Sequence, residues 1–179
     1  MSSDREVAAC STPSAHGPGQ VTVKTQDGEL FQVELAVISQ SKTFSQMYED
    51  LNLAEGDQFE FPIPAVTSKV FEKVLQWCKD HVGLPEPVIQ EDPATRERIW
   101  FKLNDAEKTF YNVPMEQIVE LLLAANYLDI KSLYLYGCQT VAALMKNKSP
   151  EEVRELFQLE DDMTEEEKDT IRKENVWCQ

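Results

Sequence analysis

Cysteine and histidine are the residue types that would form a zinc site or a reactive thiol in this sequence. They are Cys10, Cys78, Cys138, Cys178, His16 and His81. Structural zinc sites take their ligands from closely spaced pairs such as Cys-x-x-Cys, and no two of these cysteines are close in the sequence. Cys78 and Cys138 fall within apolar helical patterns, where a reduced thiol packs as a small hydrophobic side chain. The sequence therefore predicts no metal site and two structural cysteines.

Acidic residues are the other group that could carry out chemistry, because two carboxylates can act as general acid and general base. Asp161 and Asp162 are adjacent in a polar turn, where carboxylates are usually just solvated. The sequence has no glycine-rich phosphate loop and no Gly-x-Ser-x-Gly turn, and neither histidine forms a known motif with a nucleophile. We therefore expect a protein that is not an enzyme and that needs no cofactor.

The balance of charge excludes several classes of partner. The 179 residues carry a formal net charge of −15, so nucleic acid phosphates and anionic membranes repel the chain at long range. Residues 151–169 hold ten carboxylates against Arg154 and Lys168, which fits either a solvated helix face or a docking patch for a basic partner. The longest aliphatic run, Leu121 to Ala125, is too short to span a bilayer, and no secretion signal is recognisable. The sequence predicts a soluble intracellular protein that binds neither nucleic acid nor membrane.

The elements that must position any functional side chain begin after an N-terminal tail. Residues 1–20 are rich in Ser, Ala, Pro and Gly and are expected to be disordered. Alternating apolar residues on both sides of Asp27-Gly28 predict a β-hairpin. The elements expected from there are a hairpin over 21–35, helices over 36–41 and 43–51, a strand over 59–61 that is stopped by Pro62 and Pro64, and a helix over 67–81 that is capped by Thr67.

A long loop or linker is predicted over 82–109, where three prolines and mixed charges leave little periodicity, with a short helical piece near 99–103. Order returns with a helix over 115–125 that is apolar nearly all round and is expected to be buried on most of its surface. Asp129 is predicted to cap the next helix, which runs to about Met145. Gly137 lies within that helix at a propensity cost of about 1 kcal/mol relative to alanine, so it is expected to mark a close packing contact.

The C-terminal segment carries two signals for the start of a helix. Ser149 and Thr164 each precede a glutamate by three residues, and such pairs form capping boxes that satisfy otherwise unpaired backbone N–H groups. The two predicted helices are short and their apolar sides are thin, so the helices cannot enclose those side chains by themselves. They must either pack on the body of the protein or present a surface to another protein.

Several stretches of the sequence resemble the S-phase kinase-associated protein (Skp) family. They are 121–131 (LLLAANYLDIK), 138–142 (CQTVA), 148–152 (KSPEE) and 171–178 (IRKENVWC), together with Asp27-Gly28-Glu29, Pro62-Ile63-Pro64 and Gln76-Trp77-Cys78 in the same order. The resemblance covers about residues 21–179. It implies an α+β fold, with a BTB/POZ-like domain of a short β-sheet and helices over 21–146 and a helical extension over 147–179. It also implies a cytoplasmic and nuclear, non-catalytic adaptor that bridges a cullin scaffold to F-box proteins in SCF ubiquitin ligases.

The resemblance further implies two binding surfaces. The cullin-binding residues are Asn126 and Tyr127. The F-box-binding residues are Val153, Leu156, Phe157, Leu159, Ile171, Asn175 and Trp177, of which Trp177 is an aromatic anchor of the kind that dominates interfaces. The residues taken alone favour a different role for the first pair, with Tyr127 a half-buried junction residue and Asn126 the end of its helix. Some apolar residues of the extension could likewise only dock it on the body.

This sequence also departs from the family pattern. The region from Trp100 to Asn126 is longer than expected and residues 101–108 do not match, so partner selectivity is where this chain is expected to differ. One alternative function is a self-associating or cullin-independent BTB component that binds F-box proteins in a structural assembly, and an undetected enzyme is another. Weak self-association of the free protein is expected through the apolar surface around Phe157 and Trp177.

Overall fold

The computed structural model describes residues 19–53 and 59–176 of the chain. They form two compact units, one built from the residues up to Val88 together with Leu123–Tyr134, the other from Ile89–Leu122 and the residues from Leu135 onward. Residues 1–18 of the predicted N-terminal tail lie outside the described residues, as does Trp177, whereas Gln20 begins the first strand. The predicted domain boundaries at residues 20 and 146 stay predictions.

A small mixed β-sheet forms one side of the first unit. In the described residues it has the order β2-β1-β3, with β1 at Gln20–Thr25, β2 at Leu30–Glu34 and β3 at Glu60–Ile63. β1 is antiparallel to β2 and parallel to β3, so the predicted hairpin is confirmed. The expectation that Pro62 stops the third strand is wrong, because β3 is an edge strand and proline is tolerated where one side of the strand needs no hydrogen bonds.

The turn between β1 and β2 is fixed by Asp27 and Gly28. Gly28 has φ of 84°, a left-handed conformation that costs glycine little. The Asp27 carboxylate accepts hydrogen bonds from the Thr25 hydroxyl at 2.6 Å and from the Ser68 hydroxyl and backbone N–H. These hydrogen bonds lower the pKa of Asp27 to about 2, and the bond from the Ser68 hydroxyl has the larger effect, followed by that from Thr25. An ionised carboxylate thus ties the hairpin turn to the start of the next long helix.

Three helices complete this part of the first unit. They are α1 at Leu35–Ile38, α2 at Lys42–Asp50 and α3 at Ser68–Asp80. Thr67 stands at the N-cap of α3, but its side chain makes no capping hydrogen bond, so only its predicted position is confirmed. The core includes the fully buried rings of Phe44, Phe61 and Trp77.

The two internal cysteines differ in burial. Cys78 is buried on α3, and desolvation raises its pKa to about 12, so its thiol stays protonated and structural as predicted. Cys138 is only half-buried. Among the described residues, no group of three or more Cys, His, Asp or Glu side chains could hold a metal ion.

The region predicted as a loop contains regular structure. β4 at Gln90–Glu91 pairs with β5 at Arg98–Ile99, and α4 follows at Asp105–Phe110. The helical piece expected near 99–103 is therefore misplaced. The helix in this region, α4, starts instead at a capping box. Asn104 Oδ1 accepts from the Glu107 N–H at 2.8 Å, and the Glu107 carboxylate accepts from the Asn104 N–H at 2.7 Å.

Two longer helices, α5 at Met115–Tyr127 and α6 at Lys131–Met145, each contribute to both units. The prediction that Asp129 caps α6 is wrong, because Asp129 has φ of 49° and ends α5 instead. The Asp129 N–H donates to Asn126 O and the Ile130 N–H to Ala125 O, which is the Schellman pattern. The close contact predicted at Gly137 is confirmed, since an added Cβ would lie 2.7 Å from Leu122 Cδ2.

The extension consists of α7 at Pro150–Phe157 and α8 at Glu165–Glu174. Both helices start where the sequence predicts. No helix in the described ranges is long and apolar enough to cross a membrane.

Candidate partner-binding surfaces

The last two turns of α5 present an exposed face in the first unit. Asn126 is exposed, the Tyr127 side chain is 38% exposed, and Leu123, one turn earlier, is 66% exposed. Because residues three and four apart lie on the same side of a helix, these three side chains form one continuous patch, which we call the α5 face. α5 ends at Tyr127, one residue after the end that the residues taken alone predict.

The backbone under the α5 face is held by the start of α2. The Ser41 hydroxyl donates to Leu128 O at 2.6 Å and the Thr43 hydroxyl donates to Tyr127 O at 2.9 Å. The Lys42 N–H donates to Asp129 O at 3.4 Å. These bonds satisfy carbonyl groups that the end of a helix leaves unpaired. The α5 face is therefore a set of accessible side chains on a well-anchored backbone.

A small ion-pair cluster belongs to the same unit. Glu86 lies 3.2 Å from Lys42 Nζ and 3.5 Å from Lys131 Nζ. The hydrogen bond from Lys42 lowers the pKa of Glu86. All three side chains are about half exposed, so these pairs add little to stability in water and remain free to rearrange against a charged partner.

The second candidate surface is the extension, whose helices are specified by local capping. In α7 the Glu152 N–H donates to Ser149 Oγ at 3.1 Å and the Ser149 N–H donates to the Glu152 carboxylate at 2.7 Å. In α8, Thr164 and Glu167 repeat the arrangement, and the bond from the Thr164 N–H lowers the pKa of Glu167. Neither helix contains a buried residue. The extension therefore owes its helices to capping and pairing more than to a core of its own.

The loop between α7 and α8 is organised by charge. Asp161 lies 2.6 Å from Lys168 Nζ and 3.8 Å from Arg154 Nε, and Lys168 also pairs with Glu165 at 2.9 Å. The hydrogen bond from Lys168 lowers the pKa of Asp161. Part of the acidic run is thus paired within the extension, and much of the remainder, such as Glu166, is exposed.

The predicted F-box-binding residues lie mostly at partly exposed positions. Val153, Leu156 and Phe157 are half-buried on one side of α7, at helical spacing. Leu159 is 60% exposed and Ile171 is 43% exposed. Asn175 is half-buried, and its amide donates to Ile171 O at 2.9 Å. Trp177 lies outside the described residues, so its predicted role as an anchor is untested.

Sequence reasoning missed other exposed apolar side chains. Leu123 belongs to the α5 face, and its spacing of three and four residues from Asn126 and Tyr127 was the signal that could have identified it. Met163 and Val176 are exposed in the extension. Met163 stands between Asp162 and Thr164, which hides it from a search for periodic apolar residues.

Sequence comparison with known families decides the relationship. The profile described as "Skp1 family, tetramerisation domain" matches residues 19–83, and that described as "Skp1 family, dimerisation domain" matches residues 131–178. A protein of Arthroderma otae named E3 ubiquitin ligase complex SCF subunit sconC is 40% identical over 167 residues, which are 93% of this chain and 98% of the relative. The chain belongs to the Skp1 family.

Other Skp1-family relatives give the same result. The sconC protein of Talaromyces stipitatus is 40% identical over 90% of this chain and 98% of its own length. SKP1-like protein 12 of Arabidopsis thaliana is 42% identical over 88% of this chain and 95% of its own length. The predicted family and the α+β fold with a BTB-like POZ domain are confirmed.

Only one of the two candidate surfaces lies within a range that a family model matches. The match over 131–178 includes α6, α7 and α8, and so contains all the predicted F-box-binding residues. Asn126 and Tyr127 lie between the two matched ranges. The segment with β4, β5 and α4 also lies between them.

Proposed function

We propose that this Skp1-family protein is the non-catalytic adaptor of an SCF-type ubiquitin ligase, which joins a cullin scaffold to F-box substrate receptors. The proposal rests on family membership and on the names of the fungal relatives, which are SCF subunits by those names. The structural observation that carries it is the exposed extension. Two capped helices without a single buried residue hold apolar side chains that a partner can cover.

The extension is proposed as the F-box-binding surface. Phe157 and its neighbours on α7 are half-buried and can lose further exposed area when a partner binds. Each apolar square ångström so removed from water contributes about 25 cal/mol. Large aromatic residues at the centre of such contacts contribute most, which is why Phe157 and Trp177 are the residues expected to dominate affinity.

The α5 face is proposed as the cullin-binding surface. Leu123 and Tyr127 supply apolar area and Asn126 supplies an amide with both a donor and an acceptor. The bonds from Ser41 and Thr43 hold this end of α5 in place before binding. A pre-organised backbone loses little conformational entropy on association.

Reciprocal loss of binding tests the assignment of the two surfaces. The double variant Asn126→Lys/Tyr127→Lys places unpaired charge in the cullin contact and should weaken cullin binding by several kcal/mol while F-box binding persists. Phe157→Ala should weaken F-box binding by about 2 kcal/mol or more and leave cullin binding intact. Gln76→Lys, on an exposed part of α3, is the control for added positive charge. Equal cullin affinity in the double variant and the parent would refute the role of the α5 face.

A cullin-independent role is the alternative function, in which the chain self-associates or pairs with F-box proteins in a structural assembly. Affinity purification followed by identification of the co-purifying chains separates the two: recovery of F-box proteins without any cullin would select the alternative. For the free chain we propose weak self-association through the extension, relieved by an F-box domain and measurable by light scattering. We also propose a cytoplasmic and nuclear location, which fractionation tests.

A further inference from the structure

Within the second unit, the side-chain amide of Gln139 on α6 holds the segment that follows β5. The Phe101 N–H donates to Gln139 Oε1 at 2.8 Å, and Gln139 Nε2 donates back to Phe101 O at 2.8 Å. Gln139 is only 8% exposed, so both bonds are shielded from water and expensive to break. The Phe101 ring also packs edge-on against Tyr136, with centroids 5.1 Å apart. The position of Phe101, and therefore of its neighbour Trp100, is fixed relative to α6.

Trp100 forms one wall of an open groove on α6. Its side chain is 54% exposed although it is the largest apolar group of the segment. The groove is lined by Trp100, Gln139, Ala142, Ala143, Met145 and Lys146. The two alanines are small and exposed and lie three and four residues from Gln139, so they form a shallow floor beside the indole. We call this feature the Trp100 groove.

One cationic side chain, Lys146, lines the Trp100 groove, and a second, Arg98, lies against the indole ring. The Arg98 guanidinium lies 5.4 Å from the Trp100 ring centroid and 5.5 Å from that of Phe101. Its Nε and Nη2 atoms are buried and have no hydrogen-bond acceptor among the described residues. At the other end, Lys146 makes no ion pair within the described part of the chain. An apolar groove with the exposed ammonium group of Lys146 at one end is matched by a ligand that carries an apolar side chain and a carboxylate.

We propose that the Trp100 groove binds a segment of the F-box partner in which a large apolar residue is flanked by an acidic residue. This inference rests on the proposed function and extends the F-box surface beyond α7 and α8. Lys146 ends one side of the groove, and Ser149, only three residues later, is the N-cap of α7. The groove and the extension are therefore neighbours along the chain, and one partner can contact both. The apolar side chain stacks on Trp100, and its acidic neighbour pairs with Lys146.

Residues 99–104 lie between the two family matches, and they place an exposed tryptophan next to α6, a helix that one match includes. In this proposal the Trp100 groove is a selectivity element, which distinguishes F-box partners with the acidic segment from those without it.

The test uses the full chain and purified F-box domains that co-purify with it. Trp100→Ala should weaken the binding of domains with the acidic segment by about tenfold or more, and Trp100→Phe should retain most of the affinity. Lys146→Glu should weaken binding several-fold, by an amount that shrinks as salt is raised. Lys69→Glu, an exposed lysine on α3, is the matched charge control, and Leu84→Ala is the control for loss of an exposed apolar side chain.

A charge-exchange experiment identifies the acidic residue of the partner. Each Asp or Glu of the bound F-box domain is changed in turn to Asn or Gln. In the parent, the substitution that removes the contacting carboxylate should weaken binding. In Lys146→Glu, the same substitution should no longer weaken it. Phe157→Ala serves as the reference for the rest of the surface, because it should weaken all F-box domains alike.

Each outcome bears on one proposal or on both. If the parent binds F-box domains and Trp100→Ala binds them equally well, the groove inference is overturned while the adaptor function stands. If the parent binds no F-box domain, the proposed function fails and the groove inference fails with it. If sedimentation shows that the parent dimerises and Trp100→Ala does not, the groove holds a second copy and the inference is wrong.

Discussion

The capping box of α7 offers a direct measurement of how the extension is held together. In Ser149→Ala, the Glu152 N–H loses its acceptor at 3.1 Å and the reciprocal arrangement of Glu152 is weakened. Loss of such a cap costs about 1 kcal/mol, within a range of roughly 0.5–2. Because α7 has no buried residue, little tertiary packing compensates, and the loss should fall on the local helix equilibrium. At 25 °C about 1 kcal/mol is a factor of about five in that equilibrium.

Native-state hydrogen exchange resolves this effect residue by residue. Amides in the body of α7, such as those of Val153 and Phe157, should exchange about five times faster in Ser149→Ala, whereas the amides of α3 should keep their protection. Ser149→Asp, which retains an oxygen acceptor at the N-cap and adds a favourable negative charge there, should restore the protection. Affinity for an F-box domain should fall by no more than the same factor, because the partner must restore the helix on binding.

Two results would refute this reasoning. Unchanged exchange in α7 would mean that the helix is held by packing and that the exposed surface is smaller than described. A lower melting temperature of the whole chain would mean that the extension and the body unfold as one cooperative unit.

Three further predictions follow. The ionised Asp27 carboxylate stabilises the folded parent above about pH 4, and this contribution is lost as the pH falls toward 2, because the folded-state pKa of Asp27 is lowered to about 2. Asp27→Asn should lack this contribution. Acid titration of parent and variant, followed by circular dichroism, measures the difference. Phe44→Ala should destabilise the first unit by about 3–5 kcal/mol, because its ring is fully buried against Phe61 with centroids 5.2 Å apart; urea unfolding measures it, and a loss below 1 kcal/mol would contradict the packing. Deletion of residues 149–179 should leave a folded body that binds no F-box domain; a truncated chain without a cooperative thermal transition would show instead that the extension is part of the core.

The elements predicted correctly are those specified by nearby residues. The starts of α7 and α8 follow from Ser149 and Thr164 with their glutamates, and the hairpin follows from alternation around Gly28. The same capping signal stood at Asn104 and was obscured by a surrounding segment without periodicity. Strands of two residues, such as β4 and β5, carry too few side chains to show alternation at all.

The errors arise where one residue type suits two conformations. Aspartate is both a good N-cap and one of the residues that tolerate positive φ, so Asp129 could start one helix or end another, and the hydrogen bonds of Ile130 decide between them. Proline excludes a central strand but not an edge strand, so the place of Pro62 depends on the strand order, which is a tertiary property. The predicted cullin-binding and F-box-binding residues came from the family resemblance. Their exposure on the α5 face and in the extension is a property that only the fold reveals.

The paired hydrogen bonds between Gln139 and Phe101 have an evolutionary consequence. They set the position of Trp100 by attachment to α6 and not by distance along the chain, so residues can be gained or lost between Phe101 and Asn104 without displacing the indole. Lengthening a loop is thermodynamically mild, with each doubling costing only about 0.6 kcal/mol. The length of the segment between Phe101 and α4 can therefore change during evolution while α4 and α6 are both kept. Gln139 thus gives the segment a fixed attachment to α6, so that partner specificity can change at this site with little loss of stability.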